Sequence, residues 1–263
     1  MKKGISAFIL TRNSEKGLRK ALESVKWADE IVIVDGFSKD GTLNLCKKYG
    51  CKIYQRKFEG FDKEKNFAIS KCSYEWIFEL DSDEVLDKQI QKNIQETLKN
   101  PRYDAYYLKR NDYFLKRPLV TLKLIRLYKK GILHYEGATH EVAGFDKGVK
   151  IGMLKGHCYH YANDTDALFQ MVNRWDVETE REIVSSARFG KGRISRAKLY
   201  YGMFINPMVH FFGLLLYKGF LFKGMHAIIW AACNAFYEFS IYAKYYEVYF
   251  LKTRKVDKTT FVS

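Results

Sequence analysis

An apolar run that turns abruptly acidic constrains the fold of this chain more than any other stretch. Trp76–Leu80 is apolar and aromatic, and Asp81–Glu84 carries three carboxylates. Buried parallel strands read as near-continuous hydrophobic runs, and ligands collect at the carboxyl ends of such strands. We therefore expect Asp81 and Asp83 at the tip of a central strand, where paired carboxylates attract a divalent cation that can bind a diphosphate. The alternative is an acidic turn that caps a helix beginning near Asp87, because Asp-x-Asp alone is a weak signal.

Three earlier apolar runs predict strands that alternate with short helices. This alternation predicts an α/β fold with a parallel, doubly wound sheet and right-handed crossovers. Neither the Gly-x-Gly-x-x-Gly fingerprint of dinucleotide-binding folds nor a P-loop follows the first strand, so an NAD enzyme and a P-loop NTPase are disfavoured. The predicted strands are Ile5–Leu10, Glu30–Asp35 and Cys51–Gln55. The first predicted helix follows a cap at Asn13 or Ser14, and the next two cover Thr42–Tyr49 and Asp62–Lys71.

The pattern changes after a helix that carries an apolar stripe and stops at Asn100-Pro101. Shorter runs with mixed faces predict further strands, with a hairpin turn at Lys130-Gly131. A long helix is predicted from Thr165 to Val184. The later predicted strands are Ala105–Arg110, Lys123–Lys129, Leu133–Glu136 and Val149–Leu154.

The C-terminal tail is basic and aromatic. The net charge of the chain is +15, and residues 191–263 contain 11 Lys and Arg but only 3 Asp and Glu. Met203–Tyr217 and Met225–Ala243 are apolar, but neither reaches 18 charge-free residues, so a spanning helix is disfavoured. We predict helices that lie in the interface of an anionic membrane, with packing on the domain or a homo-oligomer contact as alternatives.

Cysteine usage favours a reducing compartment. The chain has five cysteines and no Cys-x-x-Cys pair, which suggests neither a disulfide framework nor a structural zinc site. The apolar run Ile5–Leu10 is too short for a signal peptide. The sequence therefore predicts a cytoplasmic protein, peripheral on the inner face of the cytoplasmic membrane.

The chain carries four short stretches in a fixed order, namely Ile5–Asn13, Trp27–Asp35, Lys65–Ala68 and Leu80–Glu84. Together these stretches resemble glycosyltransferase family 2. More narrowly, the chain resembles the bacterial branch that adds glucose to the inner core of lipopolysaccharide, which also carries a His-Glu pair, here His140-Glu141, and a basic aromatic tail. The motifs are specific for the superfamily and much less specific for donor or acceptor.

The resemblance implies a GT-A fold, a Rossmann-like, mainly parallel mixed sheet flanked by helices. Residues 1–100 would form a nucleotide-sugar half and residues 101–190 an acceptor half, and residues 191–263 would form a helical extension. Of the implied donor-binding residues, Thr11 and Asn13 would line the base and ribose pocket, and Asp35 would bind the uracil or ribose. Lys65 would approach the base or diphosphate, with Asn66 and His140 beside these residues. Asp81 would contact ribose or metal, and Asp83 would hold Mg²⁺ or Mn²⁺.

The resemblance also implies Glu141 as the general base. Glu84 is the second candidate, because it adjoins the metal pair. Either His157 or His160 could ligate the metal or touch phosphate, with a structural role as the alternative.

The chemistry that these residues imply is a single displacement. A carboxylate takes the proton of the acceptor hydroxyl, and no enzyme nucleophile is required. The prediction is a metal-dependent inverting transferase that moves a hexose, glucose from a UDP-sugar, to a lipopolysaccharide-core or related surface-glycan acceptor. The acceptor partner is thus a glycan or a lipid-linked saccharide. The alternative is a nucleotidyltransferase or another nucleotide-binding protein of the same sheet type. A specific nucleic-acid partner is disfavoured, because carboxylates at strand ends repel phosphates unless a metal intervenes.

Overall fold

The computed structural model describes residues 2–136, 142–145, 148–161, 179, 183, 189 and 194–252. Its elements form two compact units, one made of residues 2–113 and 120–161, the other of Phe114–Leu119 and the described residues after 161. The elements of the first unit, to which all of β6 except its last residue and β7 from residue 120 onward belong, are β1 (Lys2–Thr11), α1 (Glu15–Val25), β2 (Glu30–Asp35), α2 (Thr42–Lys48), β3 (Lys52–Gln55), α3 (Phe61–Lys71), β4 (Tyr74–Glu79), β5 (Glu84–Leu86), α4 (Lys88–Lys99), β6 (Ala105–Phe114), β7 (Arg117–Lys129), β8 (Leu133–Glu136), β9 (Val142–Phe145) and β10 (Ile151–Tyr161).

The first unit is built on an eight-stranded mixed sheet in the order β3-β2-β1-β4-β7-β6-β10-β5. The strands β3, β2, β1 and β4 run parallel, whereas β7 is antiparallel to β4. These four parallel strands confirm the predicted α/β class. From β1 the chain adds β2 and β3 on one side and then places β4 on the other side, so the gap between β1 and β4 is a topological switch point. Ligands bind at such a switch point, outside the carboxyl ends of the strands.

The predicted hairpin at Lys130-Gly131 is wrong in its pairing. A turn does form there, with Gly131 at φ +97°. However, β7 belongs to the large sheet, while β8 pairs with β9 in a separate two-stranded sheet. Asn66 of α3 holds the backbone of Tyr135 in β8, accepting from its N–H at 3.0 Å and donating to its C=O at 2.9 Å. That long-range contact fixes β8 beside α3, and local turn chemistry does not encode it.

The sheet is covered on both faces by apolar side chains. On one face, α1 and α4 bury residues such as Leu18, Leu22 and Ile94 against β1 and β4. On the other, Ile69 of α3 and Tyr135 of β8 belong to a second cluster. Asp87 caps α4, because its side chain accepts a hydrogen bond from Ile90 N at 2.7 Å. Burial on both faces explains the near-continuous hydrophobic runs in the parallel strands.

Glu30 at the start of β2 is a buried carboxylate with a full set of partners. It accepts from Ser6 Oγ at 2.5 Å and from Ser73 N at 2.7 Å, and it pairs with Lys52. Burial alone would raise its pKa, but the Lys52 pair and the serine hydrogen bonds outweigh burial and lower the pKa of Glu30 to about 2. This carboxylate therefore stabilises the fold most when it is ionised.

Replacing Glu30 by glutamine should lower the free energy of unfolding at pH 7 by about 3 kcal/mol, the equivalent of the pKa shift. Because the folded pKa lies below the unfolded one, this stabilisation is present above about pH 4.5 and is lost as the pH falls toward 2. Urea unfolding at pH 7 and pH 3 measures the effect. An equal loss at both pH values would show that the charge of Glu30 contributes nothing.

The described part of the second unit includes an unbroken helical run from Arg196 to Tyr217. It consists of α5 (Arg196–Tyr200), a π-helical turn (Tyr201–Ile205), α6 (Asn206–Phe212) and a second π-helical turn (Gly213–Tyr217). A short 3₁₀ turn (Phe220–Phe222), α7 (Met225–Tyr246) and a π-helical turn (Glu247–Leu251) follow. The predicted helix Thr165–Val184 lies outside the described residues except for residues 179 and 183, and the predicted boundary at residue 190 is likewise outside them and stays a prediction.

The sequence argument against a spanning helix is corrected in one respect. Arg196–Tyr217 is a 22-residue helix that is long and apolar enough, by length and composition alone, to cross a membrane. Pro207 does not end it. Proline lacks the N–H that an α-helix uses, and the π-helical turn before α6 lets the chain continue through that position.

Candidate active site

The loops after β1, β2 and β4 meet at the carboxyl edge of the parallel strands. Thr11 and Asp35 are partners in the β1–β2 register, and Thr11 Oγ1 donates to Asp35 Oδ1 at 3.0 Å. Asp35 is fully buried and also accepts from Ser38 N at 2.9 Å and from Gln55 Nε2 at 3.1 Å. Its carboxylate therefore shapes the loop that follows β2.

Asn13 ties the loop after β1 to the loop after β2. It adopts φ +50°, a conformation that asparagine tolerates better than most residues. Its backbone N–H donates to Ser38 Oγ at 2.8 Å, and its side-chain oxygen accepts from Lys39 N at 2.8 Å. Thr11, Asn13 and Asp35 thus lie together beside the switch point, as a common site requires.

The acidic turn after β4 is held by Arg126 of β7. The guanidinium is buried and donates to Glu79 at 2.5 Å, to Asp81 at 2.7 Å and to Glu84 at 2.8 Å. Arg126 thereby bridges the last residue of β4, the first carboxylate of the turn and the first residue of β5. Gly17 of α1 lies against the same turn, since a Cβ there would be 3.1 Å from the carbonyl oxygen of Ser82.

A second set of charges joins the same turn to β6 and β10. Arg110 donates to Glu84 at 2.9 Å and pairs with Asp112 at 2.7 Å. His160 Nδ1 lies 3.2 Å from Asp112 Oδ1, and its Nε2 lies 3.3 Å from Asp83 Oδ2. The acidic turn is therefore connected to β6, β7 and β10 through ion pairs and hydrogen bonds.

The charges in this network shift the pKa values of its members. Burial would raise the pKa of Asp81, but Arg126 and then Lys65 outweigh it and hold that pKa well below its usual range. Burial is the largest influence on Glu84 and raises its pKa. Burial lowers the pKa of His160, but hydrogen bonds to Asp112 and Asp83 raise it to about 10. In this arrangement, Asp81 is a carboxylate and His160 an imidazolium at neutral pH.

Lys65 and Asn66, on α3, make contacts within the fold. Lys65 Nζ pairs with Glu79 at 2.8 Å and lies 4.6 Å from the ring centre of Tyr135. Asn66 uses both the oxygen and the nitrogen of its side-chain amide to bind the backbone of Tyr135. Lys65 is thus part of the charge network under the acidic turn, whereas Asn66 attaches β8 to α3. Their contacts with a donor stay predictions.

Of the two candidates for the general base, the structure describes only Glu84. Glu141 lies outside the described residues, as does His140. Glu84 is fully buried, and its carboxylate accepts from Arg110, Arg126 and the backbone N–H of Asp81. His157 lies on β10, where its Nδ1 is 3.2 Å from Asn111 Nδ2 and its backbone N–H donates to Asp87.

The chemistry of the acidic turn suits a hard divalent cation. Its five carboxylates meet three permanent cations and the imidazolium of His160, which leaves one negative charge in excess, and Asp83 among these carboxylates is 43% exposed. Within the described ranges, no three His, Cys, Asp or Glu side chains are arranged to enclose a metal ion. Asp83 and His160 would therefore hold such a cation together with water and substrate oxygens. The charged residues are Glu79, Asp81, Asp83, Glu84, Asp112, Lys65, Arg110, Arg126 and His160.

Sequence reasoning missed Arg110, Arg126 and Asp112. A signal for Arg126 existed, because Glu79 lies within the buried run of β4 and a buried carboxylate requires a cationic or hydrogen-bonding partner. The sequence did not indicate which basic residue supplies it. That depends on β7 lying next to β4, which is a pairing between strands far apart in the chain.

Comparison with known proteins gives a consistent family. The model of Glycosyl transferase family 2 matches residues 6–155. An uncharacterized glycosyltransferase of Rickettsia typhi is 30% identical over 218 residues, which cover 76% of this chain and 75% of that protein. The lipopolysaccharide core biosynthesis glycosyltransferase LpsC of Rhizobium meliloti is 26% identical over 264 residues, covering 95% of this chain and 94% of LpsC.

Among solved structures, residues 1–349 of S. aureus TarS are similar in fold. The TM-score is 0.50 at 17% sequence identity, and the match covers 95% of this chain and 92% of that chain. At this identity the likeness concerns the fold alone. Together with the mixed, helix-flanked sheet, it confirms the predicted GT-A class.

Proposed function

This chain belongs to glycosyltransferase family 2, and we propose that it is a metal-dependent, inverting hexosyltransferase that uses a UDP-sugar, with glucose as the first sugar to test. The acceptor in this proposal is a lipopolysaccharide-core saccharide or a related lipid-linked glycan. The full-length similarity to LpsC supports that acceptor class. We assign the protein to the cytoplasm, peripheral on the inner face of the cytoplasmic membrane.

The observation that carries the proposal is the convergence at the sheet switch point. Thr11, Asn13 and Asp35 lie on one side, and the acidic turn with the half-exposed Asp83 lies after the neighbouring strand β4. A nucleotide with a diphosphate needs both halves, namely polar groups for base and ribose and a cation for the phosphates. Carboxylate excess at the turn supplies the attraction for that cation.

The roles of the residues follow from their positions. The loop side chains of Thr11 and Asn13 orient the nucleoside, and Asp35 accepts from base or ribose or holds the loop that does. Asp83 and His160 hold the divalent metal, which when bound stabilises charge on the leaving diphosphate. Asp81 contacts ribose or metal, and Arg126 and Arg110 keep the turn in place. His160 must release its proton to serve as a metal ligand.

The transfer itself needs one base. A carboxylate takes the proton from the acceptor hydroxyl as that oxygen attacks the anomeric carbon, and the UDP oxygen leaves from the opposite face. We retain Glu141 as the first candidate for this base. Glu84 is second, since two arginines already occupy its buried carboxylate.

Replacing Glu141 by glutamine should reduce transfer by about 10²–10⁴-fold, the range for losing a general base, while UDP binding stays unchanged. The measurement pairs a transfer assay with a calorimetric UDP titration. Glu136→Gln is the matched control, because Glu136 is exposed and five positions earlier in the chain. If Glu84→Gln shows this pattern and Glu141→Gln does not, the base is Glu84.

The test of the proposed function is a donor screen with the full chain, Mn²⁺ and a lipid-linked core acceptor. Release of UDP together with a glycosylated acceptor of inverted anomeric configuration supports the proposal. Release of pyrophosphate from a nucleoside triphosphate would identify a nucleotidyltransferase instead. Retention of the anomeric configuration would contradict the single displacement.

A further inference from the structure

The helix Arg196–Tyr217, here called the aromatic helix, exposes a regular apolar stripe. Large apolar side chains are exposed at paired positions that recur every four residues. Only 22% of the most apolar 18-residue stretch of this helix is buried. Tyr217, at the end of the stripe, is 88% exposed. The members of the stripe are Tyr200, Tyr201, Phe204, Ile205, Met208, Val209, Phe212, Leu216 and Tyr217.

The backbone of the aromatic helix keeps this stripe on one side. A spacing of four residues drifts around an α-helix, which has 3.6 residues per turn. Here α-helical turns alternate with π-helical turns, whose hydrogen bonds reach one residue further along the chain. The alternation lengthens the mean turn, so the paired positions stay aligned as one continuous face.

The opposite side of the aromatic helix packs on α7, and it combines apolar residues such as Leu199 and Leu215 with a glycine and an asparagine. A Cβ at Gly202 would lie 2.1 Å from a ring carbon of Tyr242, so only glycine permits this approach. Asn206 Nδ2 donates to the buried carboxylate of Glu238 at 2.8 Å. A helix at a water-exposed surface has a polar outer side and an apolar inner side. A helix that is apolar on its outer side as well, and whose inner side carries a glycine and a hydrogen-bonded amide, is typical of helices packed within lipid.

The charges near the stripe complement an anionic surface. Arg196 and Lys198 are exposed at the start of the aromatic helix, and Lys218 and Lys223 are exposed just after its end. The sequence from Arg196 to Lys223 contains no Asp or Glu. A twofold contact between two copies would bring this cationic surface against itself, whereas anionic lipid headgroups would neutralise it.

From these observations we infer that the exposed face of the aromatic helix is a lipid-docking surface, which buries its apolar stripe among the acyl chains of an anionic bilayer. The basic residues at both ends contact the headgroups. Large exposed apolar patches of this kind mark interaction sites. Docking is a property of this unit and does not depend on the proposed transfer reaction, so the two can fail separately.

The test is co-sedimentation of the full chain with vesicles of phosphatidylethanolamine and phosphatidylglycerol. Met208→Glu should weaken binding about tenfold or more, because it removes an apolar side chain that docking would bury in the bilayer and adds a negative charge beside the anionic headgroups. Met153→Glu is the matched control, since Met153 is a comparably exposed methionine on β10 of the first unit, and it should bind as wild type. Circular dichroism checks that both variants fold.

A second readout locates the stripe in the bilayer. Tyr217→Trp should show fluorescence that brominated acyl chains quench, and phosphatidylcholine vesicles should bind the protein more weakly than anionic ones. Equal vesicle binding by wild type and Met208→Glu would overturn the inference. So would a lipid-free dimer in sedimentation velocity that Met208→Glu converts to monomer while vesicle binding is unchanged, since the face would then join two copies.

Discussion

Replacing Arg126 by methionine should lower the free energy of unfolding by about 3–5 kcal/mol, the cost of removing one partner from a buried ion pair. The guanidinium lies within 2.8 Å of oxygens of Glu79, Asp81 and Glu84, and its loss leaves these carboxylates facing one another. Urea unfolding at pH 7 measures the effect. Transfer should fall as well, because the acidic turn loses the contact that connects it to β7.

Two further variants make this prediction specific. Arg126→Lys should recover only part of the stability, because an ammonium is a point charge that cannot span three carboxylates as a planar guanidinium does. Arg102→Met, at an exposed position, should stay within about 0.5 kcal/mol of wild type. Full stability of Arg126→Met would show that the network contributes little to the fold.

Replacing Asp83 by asparagine should reduce transfer by about 10²–10³-fold or more while the fold is retained, the usual loss when one electrostatic stabiliser of the transition state is removed. Asp83 is 43% exposed, and the side-chain partner described for it is His160 at 3.3 Å, so its charge adds little to stability. Steady-state UDP release and a thermal melt measure the two quantities.

Glu96→Gln is the control for Asp83→Asn, because it neutralises an exposed carboxylate on α4 far along the chain from the acidic turn. It should leave both transfer and melting temperature unchanged. An Asp83→Asn enzyme that keeps most of its transfer activity would remove the metal role from this residue.

Local patterns in the sequence predicted individual strands well, both in the parallel half of the large sheet and in the small two-stranded sheet. The strands Glu30–Asp35 and Leu133–Glu136 begin and end as predicted, because each is an apolar or alternating run with clear flanking signals. Asp87 caps α4, and Asp81 and Asp83 follow the buried strand β4, as predicted. These features depend on residues close together in sequence, which is where propensity and periodicity act.

Long-range pairing is what the sequence did not reveal. The position of β7 beside β4 brings Arg126 to the acidic turn, and no periodicity encodes that neighbour relation. The pairing of β8 with β9 depends likewise on a tertiary contact of Asn66.

The central claim is a metal-assisted nucleotide-sugar site at the carboxyl ends of β1, β2 and β4. Calorimetric titration of UDP into the full chain, with and without Mn²⁺, tests it most directly, using wild type and Asp83→Asn. We expect UDP binding that strengthens with Mn²⁺ in the wild type and loses that dependence in Asp83→Asn. Metal-dependent binding that is equally strong in both proteins would contradict the assignment of Asp83, and no UDP binding under either condition would contradict the site itself.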